Sequence, residues 1–364
     1  MTIHTHNTVE IQPIDNAPAV IHSADQGLFY RHPNHKNFQH PHPELDDSPF
    51  MAVDKDANYT LGDAYDDLRA WSRHHYDRQV CVSEISLCSA DSIKIGDQTH
   101  PLSTLASRAL CARLGAPHPY IRTLPRYLQT INLNYGLLQH KEEKLFIRFD
   151  GNRIRGLLSN RYVPMDHVQI LDALIKAGVD TGKRVQLDVD DSLMRLCLVD
   201  NQRTFEIGRD DPHTPGISII NSELGQSSFS IAPYVLRLIC TNGLITRVRG
   251  TATNFRHVSD RALTQMPRIL SIAYAQVDNQ EKQLRIAMER PVEDQAATLK
   301  AIARHFSLTK IQRDAIDWAL PYETGPNMFH VIQTLTKAAQ YPELTTEQNT
   351  ELQQVGGEVL RLVA

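Results

Sequence analysis

The chain has 364 residues, 41% of them hydrophobic and 22% charged, with a formal net charge of −4, an ordinary composition for a soluble protein long enough for two or three domains. No apolar run approaches the roughly 20 residues that cross a bilayer, and no basic-then-apolar leader opens the chain, so a cytoplasmic protein without a membrane partner is expected. The five cysteines (Cys81, Cys88, Cys111, Cys197 and Cys240) are odd in number and form no C-x-x-C pair, which argues against a disulfide framework or zinc ribbon.

Residues 1–51 are rich in His, Pro, Asn and Asp and read as a flexible His/Pro-rich tail. Four of its histidines, His32, His35, His40 and His42, suit a transition metal chemically, but a proline-broken segment does not pre-organise such a site. Order is expected from Thr60, an N-cap with Asp63 three residues on, before a helix with Leu61, Tyr65, Leu68 and Ser72 on one face. Val80 to Leu87 alternates as a strand and Ile93 to Gln98 carries a turn. A helix from Leu102 stops at Gly115, and Pro117, Pro119 and Pro125 start helical structure through Leu138. Three hairpins follow: Lys144–Phe149 with Arg153–Leu158, Val185–Val189 with Leu193–Val199, and Gly216–Ser222 with Ser227–Ile231. Between the first two, Asp166 caps a helix over His167 to Ala177, stopped by Gly178. Pro233 is expected to open a helix ending at Asn242-Gly243. From Arg256 the pattern is helical: a long polar helix to Arg290, then segments near Val292–Phe306, Thr309–Leu320, Asn327–Gln340 and Thr346–Leu362. The fold class is α+β, with a central, mostly antiparallel sheet built from hairpins. The expected division is a tail over 1–51, an α+β core over 52–255 and a helical C-terminal region over 256–364.

Charge is distributed unevenly along this plan. Eight acids lie between Glu44 and Asp67 against Lys55 alone, whereas Lys144, Arg148, Arg153, Arg155 and Arg161 outnumber Asp150. A second basic stretch holds Arg237, Arg247, Arg249, Arg256 and Arg261 against Asp260. Arg153 and Arg155 alternate on a hairpin strand and share a face, which Arg148 and Arg161 can join, and Arg247 with Arg249 repeats the device. Rows of guanidinium forks suit phosphates. Tyr162, Tyr234, Phe229 and Phe255 lie near these bases and suit either base stacking or core packing. Asn221, Ser222, Ser227 and Ser228 fit a ligand contact or the turn itself.

Standard catalytic and cofactor signatures are missing, and no cofactor is expected. Gly178 to Arg184 fails as a phosphate-binding P-loop, having three residues between its glycines rather than four and Arg184 after the lysine. The acids Asp188, Asp190, Asp191, Glu206, Asp210, Asp211 and Glu223, with His213, form a conceivable magnesium site, although Asp190 and Asp191 suit a turn. Leu299 to Ile316 has the apolar spacing of a helix-turn-helix, with Ser307 where Gly often stands.

Several segments together carry a resemblance. Arg155-Gly-Leu-Leu-Ser-Asn-Arg-Tyr-Val-Pro-Met-Asp166, the run from Asn221 to Gly243, Arg256-His257 and the closing Leu352-x-x-Val-Gly-Gly-Glu-Val-Leu360 are similar to a prokaryotic family described as phage/plasmid-like. That family is known only as a domain of unknown function. The resemblance extends from about Ala52 to Leu362 and implies a setting in mobile-element DNA metabolism. It supplies no activity or catalytic residues.

The expectation is a non-enzymatic, oligomeric nucleic-acid-binding protein, preferring single-stranded DNA, that assists annealing, recombination or replication. Arg148, Arg153, Arg155, Arg161, Arg247, Arg249 and Arg256 would meet phosphates, beside Tyr162, Tyr234 and His257, and the acidic segment would cover them when nucleic acid is absent. The alternatives are a metal-dependent nuclease using Glu223 with Asp188 to Asp191, and a protein-interaction factor working against host defence.

Overall fold

The structure, a computed structural model, describes residues 59–200, 202–208, 210–238, 242–245 and 254–363, together with strands at 20–22, 28–30 and 50–52. Strands β1 (Val20–His22) and β2 (Leu28–Tyr30) pair with each other, and β3 (Phe50–Ala52) adds to the edge of the central sheet. His32, His35, His40 and His42 lie outside the described residues, as does most of the acidic segment.

Helix α1 (Leu61–Trp71) begins at the expected capping box. The Thr60 hydroxyl accepts from the Asp63 N–H at 3.2 Å, and the Asp63 carboxylate accepts from the Thr60 N–H at 2.9 Å. Two three-stranded antiparallel sheets follow. The first joins β4 (His75–Cys81), β8 (Lys144–Asp150) and β9 (Arg153–Ser159); the second joins β5 (Ile85–Ser89), β6 (Ser92–Ile95) and β7 (Gln98–Pro101). The single strand expected from Val80 to Leu87 is thus divided, by a 3-10 turn over Val82–Glu84. Helices α2 (Thr104–Arg113), α3 (His118–Thr123) and α4 (Arg126–Gln139) lie between β7 and β8. Pro125 separates α3 from α4, because the residue before a proline is steered away from helical backbone. Val80, Ile93, Leu110, Leu133 and Ile147 belong to the core these elements share.

The central antiparallel sheet contains β10 (Val185–Asp190), β11 (Met194–Val199), β13 (Pro212–Asn221), β14 (Phe229–Arg237) and β15 (Asn242–Ile245). Its order is β15-β14-β13-β11-β10-β3, with β12 (Phe205–Glu206) on β13 and β16 (Asn254–Phe255) on β14. Helix α5 (His167–Lys176) starts at the predicted Asp166 cap, where the Gln169 side chain accepts from the Asp166 N–H at 3.0 Å. The helix expected after Pro233 is instead the second half of β14, with Pro233 opposite Ile217 and Tyr234 opposite Gly216. Phe229 and Ile231 pack into one core, while Ala232, Tyr234 and Leu236 pack into another. A strand buried on both faces shows no polar alternation, so its sequence reads like a helix.

Gly216 lets β13 and β11 pair closely, since a Cβ there would stand 2.2 Å from the Leu198 carbonyl oxygen. Backbone cannot yield as a side-chain tip can. Gly216→Ala is therefore expected to destabilise the protein by about 1–3 kcal/mol, seen as a lower urea midpoint, and an unchanged midpoint would show that the sheet opens freely there.

The chain ends in α6 (Arg261–Thr264), α7 (Met266–Glu289), α8 (Gln295–His305), α9 (Lys310–Ala319), α10 (Met328–Ala338) and α11 (Thr346–Val363). Ala262, Met266, Ile269 and Ala273 join α1 and α5 on one face of the central sheet. Farther along α7, Leu284 and Ala287 pack with Val235, Leu244, Phe329 and Leu352. Helix α7 therefore bridges the sheet core and the C-terminal helices. Ser307 takes the left-handed turn between α8 and α9, with φ +54°. Among the described residues no helix is long and apolar enough to cross a membrane.

Candidate nucleic-acid interface

Arg148 on β8 and Arg155 on β9 were expected on an exposed strand face; they are 2% and 0% exposed. The reason lies in the β13–β14 turn, which folds down onto β9. Gly156 makes room for it, for a Cβ there would stand 2.7 Å from Leu224 Cδ2. The neighbouring Glu223, itself 2% exposed, is carried against both arginines.

Arg155 uses its whole fork inside the protein. Its Nε donates to Asp191 Oδ1 at 3.0 Å, Nη2 to Glu223 Oε2 at 3.0 Å and Nη1 to His75 Nδ1 at 2.8 Å. Arg148 donates to both Asp77 oxygens at 3.0 and 3.3 Å, to the Glu223 main-chain oxygen at 3.0 Å and to Asp166. Arg153 is half-buried and pairs with Asp191 at 2.9 Å. Burial opposes ionisation of Glu223, but His167, Arg155 and Arg148 around it prevail and hold its carboxyl well below the usual carboxylate range. Asp191 is likewise held down, burial being outweighed by Arg155 and Arg153. Burial and the Arg155 charge push the His75 imidazole down to about 3. A neutral His75 accepts from a guanidinium at Nδ1, as the distance requires.

A second string of bonds continues from Glu223. Its Oε1 accepts from the His167 backbone N–H at 2.9 Å. Asn221 donates through Nδ2 to the Met165 carbonyl and to His167 Nδ1, while its Oδ1 accepts from His257 Nε2 at 2.8 Å. Tyr162 donates to the Glu223 carbonyl at 2.7 Å and stacks on His257, with ring centroids 5.3 Å apart. Tyr234 is buried and donates to Gln186 at 3.0 Å. These residues form an interior lattice joining β4, β8, β9, α5 and two hairpin turns. Arg148, Arg155, Tyr234 and His257 thus present their polar groups to protein rather than to solvent, a correction to the expected exposed face.

Of the other predicted contacts, Arg161 and Arg256 are exposed, and the Val163 N–H to His257 carbonyl bond brings their segments together. Arg247 and Arg249 lie outside the described residues. Four of the candidate metal acids are engaged by arginines, Asp188 by Arg195, Asp191 by Arg153 and Arg155, Asp211 by Arg237, and Glu223 by Arg155, while Asp190 accepts from the Ser192 and Leu193 N–H groups of its own turn. Among the described residues no group of three or more His, Cys, Asp or Glu side chains is placed to hold a metal ion. The Gly178–Arg184 segment is a helix-to-strand turn, with Asp180 Oδ1 accepting from the Gly182 N–H at 3.0 Å.

A different surface has the character that the arginine face lacks. From Gln98 to Lys141 the sequence contains no Asp or Glu, but it holds Arg108, Arg113, Arg122, Arg126 and Lys141. Folding turns this run into α2, α3 and α4. Arg108, Arg122, Arg126 and Lys141 are exposed. Acids from neighbouring segments reach three of the five: Arg113 pairs with Glu143 at 2.8 Å, Arg122 pairs with Asp91, and Lys141 lies 4.0 Å from the exposed Glu142. Among the described residues Arg108 and Arg126 meet no carboxylate.

The same helices concentrate exposed apolar side chains. Eleven large ones are exposed among the described residues, and five of them, Tyr120, Tyr127, Ile131, Tyr135 and Leu138, fall on α3 and α4. At helical spacing the four on α4 form one stripe, opposite the buried Gln129, Leu133 and Leu137. The sequence signal for this surface was available, as an absence of acids combined with tyrosines eight residues apart.

Residues 156–355, more than half of the chain, match the model of a family described as a domain of unknown function, DUF932. The matched region takes in Asp191, Asn221 and Glu223 and leaves α2 to α4 before it. No curated relative and no solved structure matches the chain.

Proposed function

Because the chain belongs to this DUF932 family, whose description assigns no activity, we propose from its own surface that it is a nucleic-acid-binding protein whose phosphate contacts lie on α2 to α4. The observation carrying this reading is the acid-free run from Gln98 to Lys141, folded so that Arg108, Arg122, Arg126 and Lys141 face solvent. A surface with several cations and no acids of its own attracts a polyanion at long range and releases counterions on contact. The exposed Arg122–Asp91 and Lys141–Glu142 pairs are no barrier, since such pairs contribute little and exchange readily. Arg161 and Arg256 supply a second exposed basic locus. In the mobile-element setting implied by the sequence resemblance, the activity would serve annealing, recombination or replication of the element.

The test is binding of labelled DNA across a salt series. Log affinity should fall linearly with log salt, and Arg108→Glu with Arg126→Glu should reduce the slope by roughly 0.7–0.9 for each phosphate that is no longer neutralised. Arg285→Glu on α7, whose guanidinium pairs with Glu281, serves as a control and should leave the slope unchanged. Absence of binding to single- or double-stranded DNA or RNA at low salt would remove the reading.

A further inference from the structure

The α4 stripe calls for an explanation of its own. Tyr127 and Tyr135 are 64% and 65% exposed, Ile131 and Leu138 are exposed to a similar degree, and Tyr120 on α3 is 60% exposed. Tyr127 to Leu138 extends about 16 Å along the helix axis. Water-facing apolar area of this kind, gathered on one helix face, marks a binding surface. What distinguishes it from an ordinary protein contact is its surroundings. Arg122 and Arg126 stand at its N-terminal end, Lys141 at its C-terminal end beside the exposed Glu142, and the three helices themselves contribute no acid. An apolar protein partner gains nothing from that charge, and a second copy of this chain would set the cations of one copy against those of the other. A polyanion with flat apolar faces satisfies both features.

We propose that the α3–α4 face is a stacking platform for unpaired bases, with Tyr120, Tyr127 and Tyr135 against the bases and Arg122, Arg126 and Lys141 on the backbone phosphates. The ligand class is single-stranded nucleic acid, bound without sequence readout because every base has a stacking face. A duplex hides its base faces and can use only the cations. The inference rests on the nucleic-acid-binding reading and adds strand preference and the aromatic contacts to it.

The experiment uses the full chain with labelled oligothymidylate, oligouridylate and a duplex of matched length, at one fixed salt concentration. Oligothymidylate should bind tighter than duplex and quench tyrosine fluorescence. Tyr127→Ala and Tyr135→Ala should each weaken single-strand binding about fivefold or more and leave duplex binding unchanged, whereas Tyr→Phe at both positions should retain most of the affinity. The oligouridylate arm distinguishes RNA from DNA as the preferred strand. Equal binding of single strand and duplex, with both alanine variants neutral, would overturn the stacking platform while leaving the basic face intact. Binding of no nucleic acid would remove both. A wild-type dimer that Tyr127→Ala with Tyr135→Ala converts to monomer, with DNA affinity unaltered, would assign the stripe to self-association instead. These side chains are exposed, so the variants should keep the wild-type urea midpoint, which checks that binding losses are not losses of fold.

Discussion

Replacing Arg155 by alanine is expected to destabilise the protein by about 3–5 kcal/mol, the loss that follows when one member of a buried ionic network is removed. Arg155 is fully buried and joins three separate elements: β4 through His75, the β10–β11 turn through Asp191 and the β13–β14 turn through Glu223. Without it Asp191 keeps Arg153, but Glu223 loses its direct guanidinium partner inside the protein. The favourable Coulomb energy of such a network is largely offset by desolvation of its members. The damage in the variant comes from the stranded Glu223 carboxylate rather than from a lost attraction. Two consequences separate this account from simple cavity formation. Arg155→Lys, which retains charge but cannot serve three acceptors in one plane, should recover only part of the loss. The deficit of Arg155→Ala should also shrink as pH falls, because the stranded Glu223 escapes its penalty by taking a proton. Urea titrations at neutral and acidic pH measure both effects. A deficit below about 1 kcal/mol at neutral pH, where surface substitutions fall, would show that the network is more hydrated than its burial indicates.

The same network explains what the sequence did and did not disclose. The first and second hairpins, the Thr60 and Asp166 capping boxes and the helix stop at Gly178 are local signals, each complete within a few residues, and each is found where it was expected. Arg153 and Arg155 do share a face, as their spacing requires, since both reach Asp191. Whether that face meets water is a different kind of question. It depends on Asp191, Glu223 and His75, which are 36, 68 and 80 residues from Arg155 along the chain, and no local pattern reports on contacts of that range. Pro233 misled for a related reason: burial of both faces of β14 erased the alternation that identifies a strand. The α2–α4 surface was legible in principle. Its signal is the absence of acids, which is easily passed over when charge is read from clusters, and its tyrosines lie within a stretch whose helical character alone was expected.

Lowering the pH from 7 to 4 is expected to weaken the fold, with His75, His257 and Asp190 together contributing a loss of about 3–4 kcal/mol that sets in near the ordinary histidine value of about 6.5. His75 is held at about 3 by burial and Arg155, and His257 at about 4 by burial and His167. Between those values and 6.5 the unfolded chain takes up protons that the native protein refuses. Stability therefore rises with pH across this window and is fully present above it. At about 1.4 kcal/mol per unit, the two histidines supply roughly 6 kcal/mol of pH dependence by pH 4. Asp190 works in the opposite sense. Burial raises its carboxyl to about 6, so between about 4 and 6 the native state binds a proton that the unfolded chain does not, returning about 3 kcal/mol as the pH falls. The histidines prevail, and the net slope has their sign. His75→Gln decides the matter, since a glutamine oxygen can still accept from Arg155 but does not titrate. Urea midpoints from pH 7.5 to 4 should show the wild type losing stability more steeply than the variant, and Asp190→Asn should steepen the wild-type slope by removing the opposing contribution. Parallel profiles for the wild type and His75→Gln would mean that His75 is protonated in the native protein, and that Arg155 faces a cation where the structure places an acceptor.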